Sequence, residues 1–162
     1  DGSAEAYDFT FITNDIFDNA RVGNGRYSAP ACADLDNDGD LDCVVGGFDD
    51  ADLNCVYYFR NDGDKTSFNF TRASEHIVDR DLLGSSTMRP KPTLADMDND
   101  GDLDLIVSND YYRNDGDSTY YNYTWITDDL VGYVKTGHGS GAYLYPFAGD
   151  IDNDGDIDIL LG

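Results

Sequence analysis

The chain has 162 residues, 33 acidic against ten basic, and a net charge of −23, which argues against nucleic acid or an anionic lipid surface as a partner. No apolar run reaches the roughly eighteen residues of a membrane helix, so no membrane insertion is expected. No signal peptide begins the sequence, and any export signal is expected to have been removed or to lie outside this segment.

The first organised segment, residues 7–16 (YDFTFITNDI), aligns without gaps to residues 121–130 (YNYTWITDDL), and residues 67–71 (SFNFT) repeat it mid-chain. From the shared Thr to the next acidic run the separations are 24, 25 and 26 residues (Thr10 to Asp34, Thr71 to Asp96, Thr124 to Asp150). Such constancy predicts one structural unit used repeatedly.

The acidic runs are residues 34–42 (DLDNDGDLD), 96–104 (DMDNDGDLD) and 150–158 (DIDNDGDID), which together hold fifteen Asp. Neighbouring carboxylates repel by about 1 kcal/mol per pair at 4 Å in water and about 4 kcal/mol at an effective dielectric of 20, so a hard dication is expected among them. Calcium suits this donor set, because it accepts six to eight oxygens in flexible geometry, whereas zinc favours His or Cys. Three Ca2+ sites follow. Positions one, three and five supply side-chain oxygens: Asp34, Asp36 and Asp38; Asp96, Asp98 and Asp100; Asp150, Asp152 and Asp154. Gly39, Gly101 and Gly155 let the backbone fold over the ion. The seventh residues, Asp40, Asp102 and Asp156, offer main-chain carbonyls, and the ninth, Asp42, Asp104 and Asp158, a carboxylate from the far side. An EF-hand would need Glu at position twelve between two helices, but Val45, Val107 and Leu161 stand there, within short aliphatic runs that read as buried strands.

Each unit is predicted to be four antiparallel strands. The first enters the acidic loop (residues 27–33, 92–95, 143–149), the second leaves it, and the third covers residues 56–60 or 111–113. The fourth follows a hairpin turn at Asn61-Asp62-Gly63-Asp64 or Asn114-Asp115-Gly116-Asp117. Four strands in 50 to 60 residues is the size of a propeller blade. The expected division is an outer strand and linker at 1–26, blades at 27–87 and 88–141, and the first half of a third at 142–162, with residues 79–86 linking the first two. Three blades are too few for an ordinary closed propeller, so a longer tandem array, or a strand supplied by another copy, is expected.

Cys32, Cys43 and Cys55 leave an odd count, and two readings stand: a Cys43–Cys55 bridge between neighbouring strands, or small buried thiols. Asn69 and Asn122 head Asn-x-Thr sequons at one repeat position, where alternation turns them to solvent and Phe68, Phe70, Tyr121, Tyr123 and Trp125 inward. His76 and His138 occupy unrelated repeat positions, and Ser140 beside His138 completes no triad in sequence, so no catalytic residues are assigned. The doublets Tyr57-Tyr58, Tyr111-Tyr112 and Tyr120-Tyr121 suit either blade packing or sugar stacking.

Residues 33–47, an acidic loop running into Val-Val-Gly-Gly, resemble the FG-GAP/VCBS repeats of integrin α-chains and related extracellular β-propellers, and residues 111–117 resemble the later hairpin of those repeats. The resemblance implies an all-β propeller-type fold and calcium ligation, but not integrin ligand recognition, since neither Phe-Gly nor Gly-Ala-Pro occurs. The resulting expectation is a secreted or cell-surface, non-enzymatic, glycosylated calcium-binding protein with a structural or adhesive role. It would self-associate, as a filament subunit, or pack against neighbouring blades of the same polypeptide. A glycan-binding propeller and the scaffold of a polysaccharide-acting enzyme are the alternatives.

Overall fold

The computed structural model describes residues 11–13, 16–17, 27–74, 76–79, 83, 89–132 and 144–162. The proposed outer strand at 7–16 lies mostly outside the described residues, as do His138 and Ser140. Every regular element among the described residues is a strand, and no described helix is long and apolar enough to cross a membrane.

Among the described residues ten strands form three antiparallel sheets. The first is the meander β1 (Ala29–Ala33), β2 (Asp42–Phe48), β3 (Asn54–Asn61) and β4 (Phe70–Ser74). The second repeats that order with β5 (Pro92–Ala95), β6 (Asp104–Val107), β7 (Asp110–Asn114) and β8 (Tyr123–Thr127). The third is the hairpin β9 (Pro146–Gly149) and β10 (Asp158–Leu161). The two complete sheets are four-stranded blades of propeller type, and their inner strands lie side by side, β1 beside β5 and β5 beside β9.

The strand pattern follows from burial on two faces. From β2 and β3, Val44, Val56 and Tyr58 join Leu105, Val107 and Tyr112 of the second sheet in one core, with Leu35, Ile77, Val78 and Leu83. The alternate residues, Cys43, Val45, Cys55, Tyr57 and Phe59, form a second cluster on the opposite face, against Phe17 and Phe70. Alternation therefore survives, but both registers are apolar, and β2 reads as a continuous hydrophobic run. Each fully buried Val, Leu or Phe contributes about 1.5–3 kcal/mol.

Strand register decides the disulfide. Cys32 on β1 faces Cys43 on β2 directly, Cα to Cα 4.1 Å, and the two are bonded. The Cys43–Cys55 reading is therefore incorrect. On β3 it is Phe59 that faces Cys43, while Cys55 faces Gly47, four residues along β2 and about 13 Å away at the strand rise. Cys55 is a buried thiol in the second cluster. The pairs Leu94–Leu105 and Ala148–Ile159 occupy the same register positions in the other sheets, so the bridge replaces an apolar cross-strand pair.

Two further differences concern the third hairpin connection. The chain reverses not at Asp-Gly but at Lys65-Thr66 and Ser118-Thr119, closed by the Asp64–Ser67 and Asp117–Tyr120 bridges. Asn61 Oδ1 accepts hydrogen bonds from Gly63 N and Asn69 N, and Asn114 Oδ1 does the same for Gly116 N and Asn122 N, so an asparagine side chain holds the wider turn. Phe68 and Trp125 are exposed rather than buried. They belong to the outer part of each sheet, whereas the closest approaches between sheets involve inner strands.

Gly46 marks where the blades are wedged together. A Cβ there would sit 2.1 Å from the Pro90 carbonyl oxygen and 2.9 Å from Pro92 Cδ, in the segment entering β5. That segment is anchored, since Ser108 N donates to Lys91 O and the buried Lys91 ammonium lies over the Tyr145 ring ahead of β9. Gly46→Ala is expected to destabilise the protein by about 1–3 kcal/mol through overpacking, read as a lower midpoint in thermal or urea unfolding.

Candidate metal centre

Each acidic loop connects the first and second strands of its sheet, and all three share one local geometry. The first carboxylate accepts two backbone bonds: Asp38 N to Asp34 Oδ1 at 3.1 Å and Gly39 N to Asp34 Oδ2 at 3.0 Å. Asp96 and Asp150 do the same, at the same lengths, for Asp100 and Gly101 and for Asp154 and Gly155. The fifth carboxylate accepts from the seventh backbone N–H: Asp40 N to Asp38, Asp102 N to Asp100, Asp156 N to Asp154. The curl needs two left-handed residues. Gly39, Gly101 and Gly155 have φ of 96°, 98° and 98°, and Asn37, Asn99 and Asn153 have φ of 57°, 61° and 64°. A Cβ on Gly39 would meet nothing within 4 Å, so glycine is required there for its φ and not for space. The asparagines at position four were not singled out in the sequence, although Asn tolerates this region better than other non-glycine residues.

The loops gather carboxylate oxygens within 4.8 Å of one another: Asp34, Asp36 and Asp38; Asp96, Asp98 and Asp100; Asp150, Asp152 and Asp158. In the first two loops the cluster is positions one, three and five. In the third, position nine takes the place of Asp154.

The ninth residues of the complete sheets carry a second task. Asp42 is buried, with Oδ2 accepting from the Tyr58 hydroxyl at 2.8 Å and Oδ1 from Asn61 N at 2.7 Å. Asp104 repeats this with Tyr111 at 2.9 Å and Asn114 N at 2.7 Å, and also accepts from Met97 N. These carboxylates lock each loop to the third strand. Asp158 accepts from Ile151 N.

The seventh side chains differ from the role expected of their carbonyls alone. Asp40 and Asp102 are buried, and each has an Oδ1 with no hydrogen-bond donor; Asp36 Oδ1 is in the same state. A buried carboxylate oxygen without a partner is costly unless a cation or donor meets it. Asp156 is exposed. Clustered hard oxygens with unanswered buried members are a donor set that fits calcium.

The electrostatics agree. Burial first, and then the Asp38 charge, raise the pKa of Asp36 and Asp40, and burial raises Asp42 and Asp104. A hydrogen bond shared with Asp100, then burial and the Asp100 charge, push Asp102 up to about 6, while the hydrogen bonds from the Asp102 side chain and backbone hold Asp100 low. Carboxylates close enough to share a proton are close enough to share a dication.

Other sequence candidates are placed as follows. Asn69 and Asn122 are exposed, each just before an outer strand. His76 is exposed, and its backbone N–H donates to Ser74 Oγ. Of the tyrosine doublets, Tyr57, Tyr58 and Tyr112 are buried in the sheet clusters, Tyr111 holds Asp104, and Tyr121 packs edge-on to Tyr58; Tyr120 is exposed and stacks on Tyr121.

Because the native pKa values of Asp36, Asp40, Asp42, Asp102 and Asp104 lie above the unfolded value near 4, these groups bind protons more tightly in the ion-free native state than in the unfolded chain. Ion-free stability is therefore expected to fall as pH rises from about 4 through about 6. Asp62, Asp64, Asp115 and Asp117, held low chiefly by side-chain hydrogen bonds, act oppositely, their contribution being lost as pH drops below about 4. Melting temperatures in chelator should decline between about pH 4 and pH 7, and saturating calcium should remove that decline; a steady rise in chelator contradicts the electrostatic account.

Residues 34–107, from the first acidic loop to the end of β6, match the FG-GAP-like repeat family model. No curated protein and no solved structure matches the chain. The matched stretch contains two complete acidic loops and the strands β2 to β6, but not β1. Residues 34–107 are thus similar to FG-GAP-like repeats, in agreement with the all-β, four-stranded sheets.

Proposed function

We propose that this is a non-enzymatic, calcium-binding repeat protein of the extracellular space, with a structural or adhesive role. The observation that carries the reading is the set of three carboxylate clusters together with the donorless buried oxygens of Asp36, Asp40 and Asp102. Calcium would neutralise each loop and hold its two strands together. A site saturated a thousandfold above its dissociation constant adds about 4 kcal/mol to stability. Extracellular calcium sits in the range where weak modular sites fill. The Cys32–Cys43 bridge across the base of the first loop suits an oxidising compartment, and FG-GAP-like repeats are typical of extracellular proteins and generally non-catalytic.

Glycosylation at Asn69 and Asn122 belongs to the same reading, since both side chains are exposed at matching repeat positions. The apolar exposure of Tyr145, Phe147 and Leu160 around the two-stranded third sheet supports packing against further blades or another copy.

Calorimetric titration of the ion-free protein should show calcium binding at up to three sites, with a rise in melting temperature of several degrees. Asp36→Asn and Asp98→Asn should each remove one site and part of that rise. A melting temperature indifferent to calcium and chelator sinks the reading. Peptide mapping of protein from its native source, with and without glycosidase, should show Asn69 and Asn122 converted to Asp only after treatment.

A further inference from the structure

The first and second acidic loops offer nearly the same donor set, since residues 34–42 and 96–104 differ only in Leu35 against Met97. The backbone bonds accepted by their first and fifth carboxylates match in length. What differs is how the two arms of each loop are tied together. In the second loop Asp104 Oδ2 accepts from Met97 N at 3.0 Å, and in the third Asp158 Oδ2 accepts from Ile151 N at 3.0 Å. There the ninth carboxylate reaches back across the loop and clasps its second residue. In the first loop Asp42 accepts from the Tyr58 hydroxyl and from Asn61 N, and among the described residues no bond reaches it from Leu35 N. Leu35 is held by its side chain in the core between the sheets, which fastens one arm of the loop without tying it to the other.

The first loop carries a covalent tie where the clasp is missing. It closes on the ladder pair Ala33–Asp42, and the next pair along is the Cys32–Cys43 bridge. The corresponding pairs are Ala95–Asp104 backed by Leu94–Leu105, and Gly149–Asp158 backed by Ala148–Ile159, neither of them covalent. Without a bound ion the carboxylates push the arms apart. A tie that limits this opening is in place before binding, so less order has to be imposed when the loop draws round a cation.

We propose that the Cys32–Cys43 bridge sets the calcium affinity of the first loop and thereby couples that one site to the redox state of its own strand pair. With the bridge closed, the loop is held ready; with it open, the first loop has neither clasp nor bridge and becomes weaker than the second. Reduction by a dithiol breaks the S–S bond, delivers two electrons and two protons to the Cys32 and Cys43 sulfurs, and leaves the dithiol as its own disulfide. Cys55, already a thiol, takes no part. Coupling of this kind is reciprocal, so calcium in the first loop makes the bridge harder to reduce by the same factor by which the bridge tightens calcium. The inference concerns the regulation of the calcium site proposed above and rests on that reading.

Calcium titrations of variants that keep one loop at a time test it. In Asp98→Asn/Asp152→Asn protein, which retains the first loop, dithiothreitol should weaken calcium binding at least about fivefold, the lower end of ordinary coupling between sites. In Asp36→Asn/Asp152→Asn protein, which retains the second, it should change nothing. Adding Cys32→Leu/Cys43→Leu to the first of these, a copy of the Leu94–Leu105 pair, should reproduce the loss without reductant, with cooperative melting in chelator showing that the blade stays folded. In a dithiothreitol redox buffer that opens the bridge, calcium should move the equilibrium thiol count from three toward one in wild-type protein but not in Asp36→Asn. Equal calcium affinity of the oxidised and reduced first loop overturns the proposal, as does an equal loss at the second loop, which would mark a general loosening of the fold. Calcium uptake that ignores the bridge leaves the calcium reading standing and defeats the coupling alone, whereas no uptake in any form defeats both.

Discussion

Five carboxylates in nine residues repel one another, and the rest of the structure is arranged to hold them together regardless. The first Asp of each loop is fixed by two backbone N–H groups, the fifth by one, and the ninth, in the complete sheets, by a tyrosine hydroxyl and an asparagine N–H from the third strand. These donors orient the acidic side chains but leave oxygens of Asp36, Asp40 and Asp102 without partners. The arrangement is a cradle whose own hydrogen bonds stop short of balancing its charge, a donor set that fits a dication.

The loop is also the corner of each blade. It turns the innermost strand into the second, and the ninth Asp reaches on to the third, so one short acidic segment sets the relation of three strands. In the first blade the Cys32–Cys43 bond closes the base of the loop covalently, while in the others Leu94–Leu105 and Ala148–Ile159 stand at the same register. Carboxylate cluster, disulfide and apolar pairing thereby meet at one place. Packing then builds outward: the first sheet is apolar on both faces, one packed on the second sheet and the other on Phe17 and Phe70, and Gly46 allows the entering strand of the next blade to lie against β2. Where a neighbour is missing among the described residues, as at Ile151 and Leu160, the same apolar residues are exposed.

Much of this was legible in the chain because it is local. The acidic nonapeptides, the glycine at position six, the aliphatic runs after them and the recurrence of Asn-Asp-Gly-Asp each act within about ten residues, and repetition separates them from chance. All-β architecture, four-stranded units and the placement of both sequons in solvent follow from such signals. The left-handed asparagines at position four could have been read from their identity in all three loops.

What the tertiary structure alone decided is non-local. The partner of Cys43 depends on strand register, which sets Cys32 opposite it and carries Cys55 four residues away. The buried, donorless Oδ1 atoms of Asp40 and Asp102 depend on how the loop folds against the Asn turn, and the exposure of Trp125 on how little the outer strands approach a neighbouring sheet. Short-range patterning names the elements and their ligands, because hydrogen bonding and backbone conformation act over a few residues. Which face meets which neighbour is settled only when distant segments compete for the same buried surface.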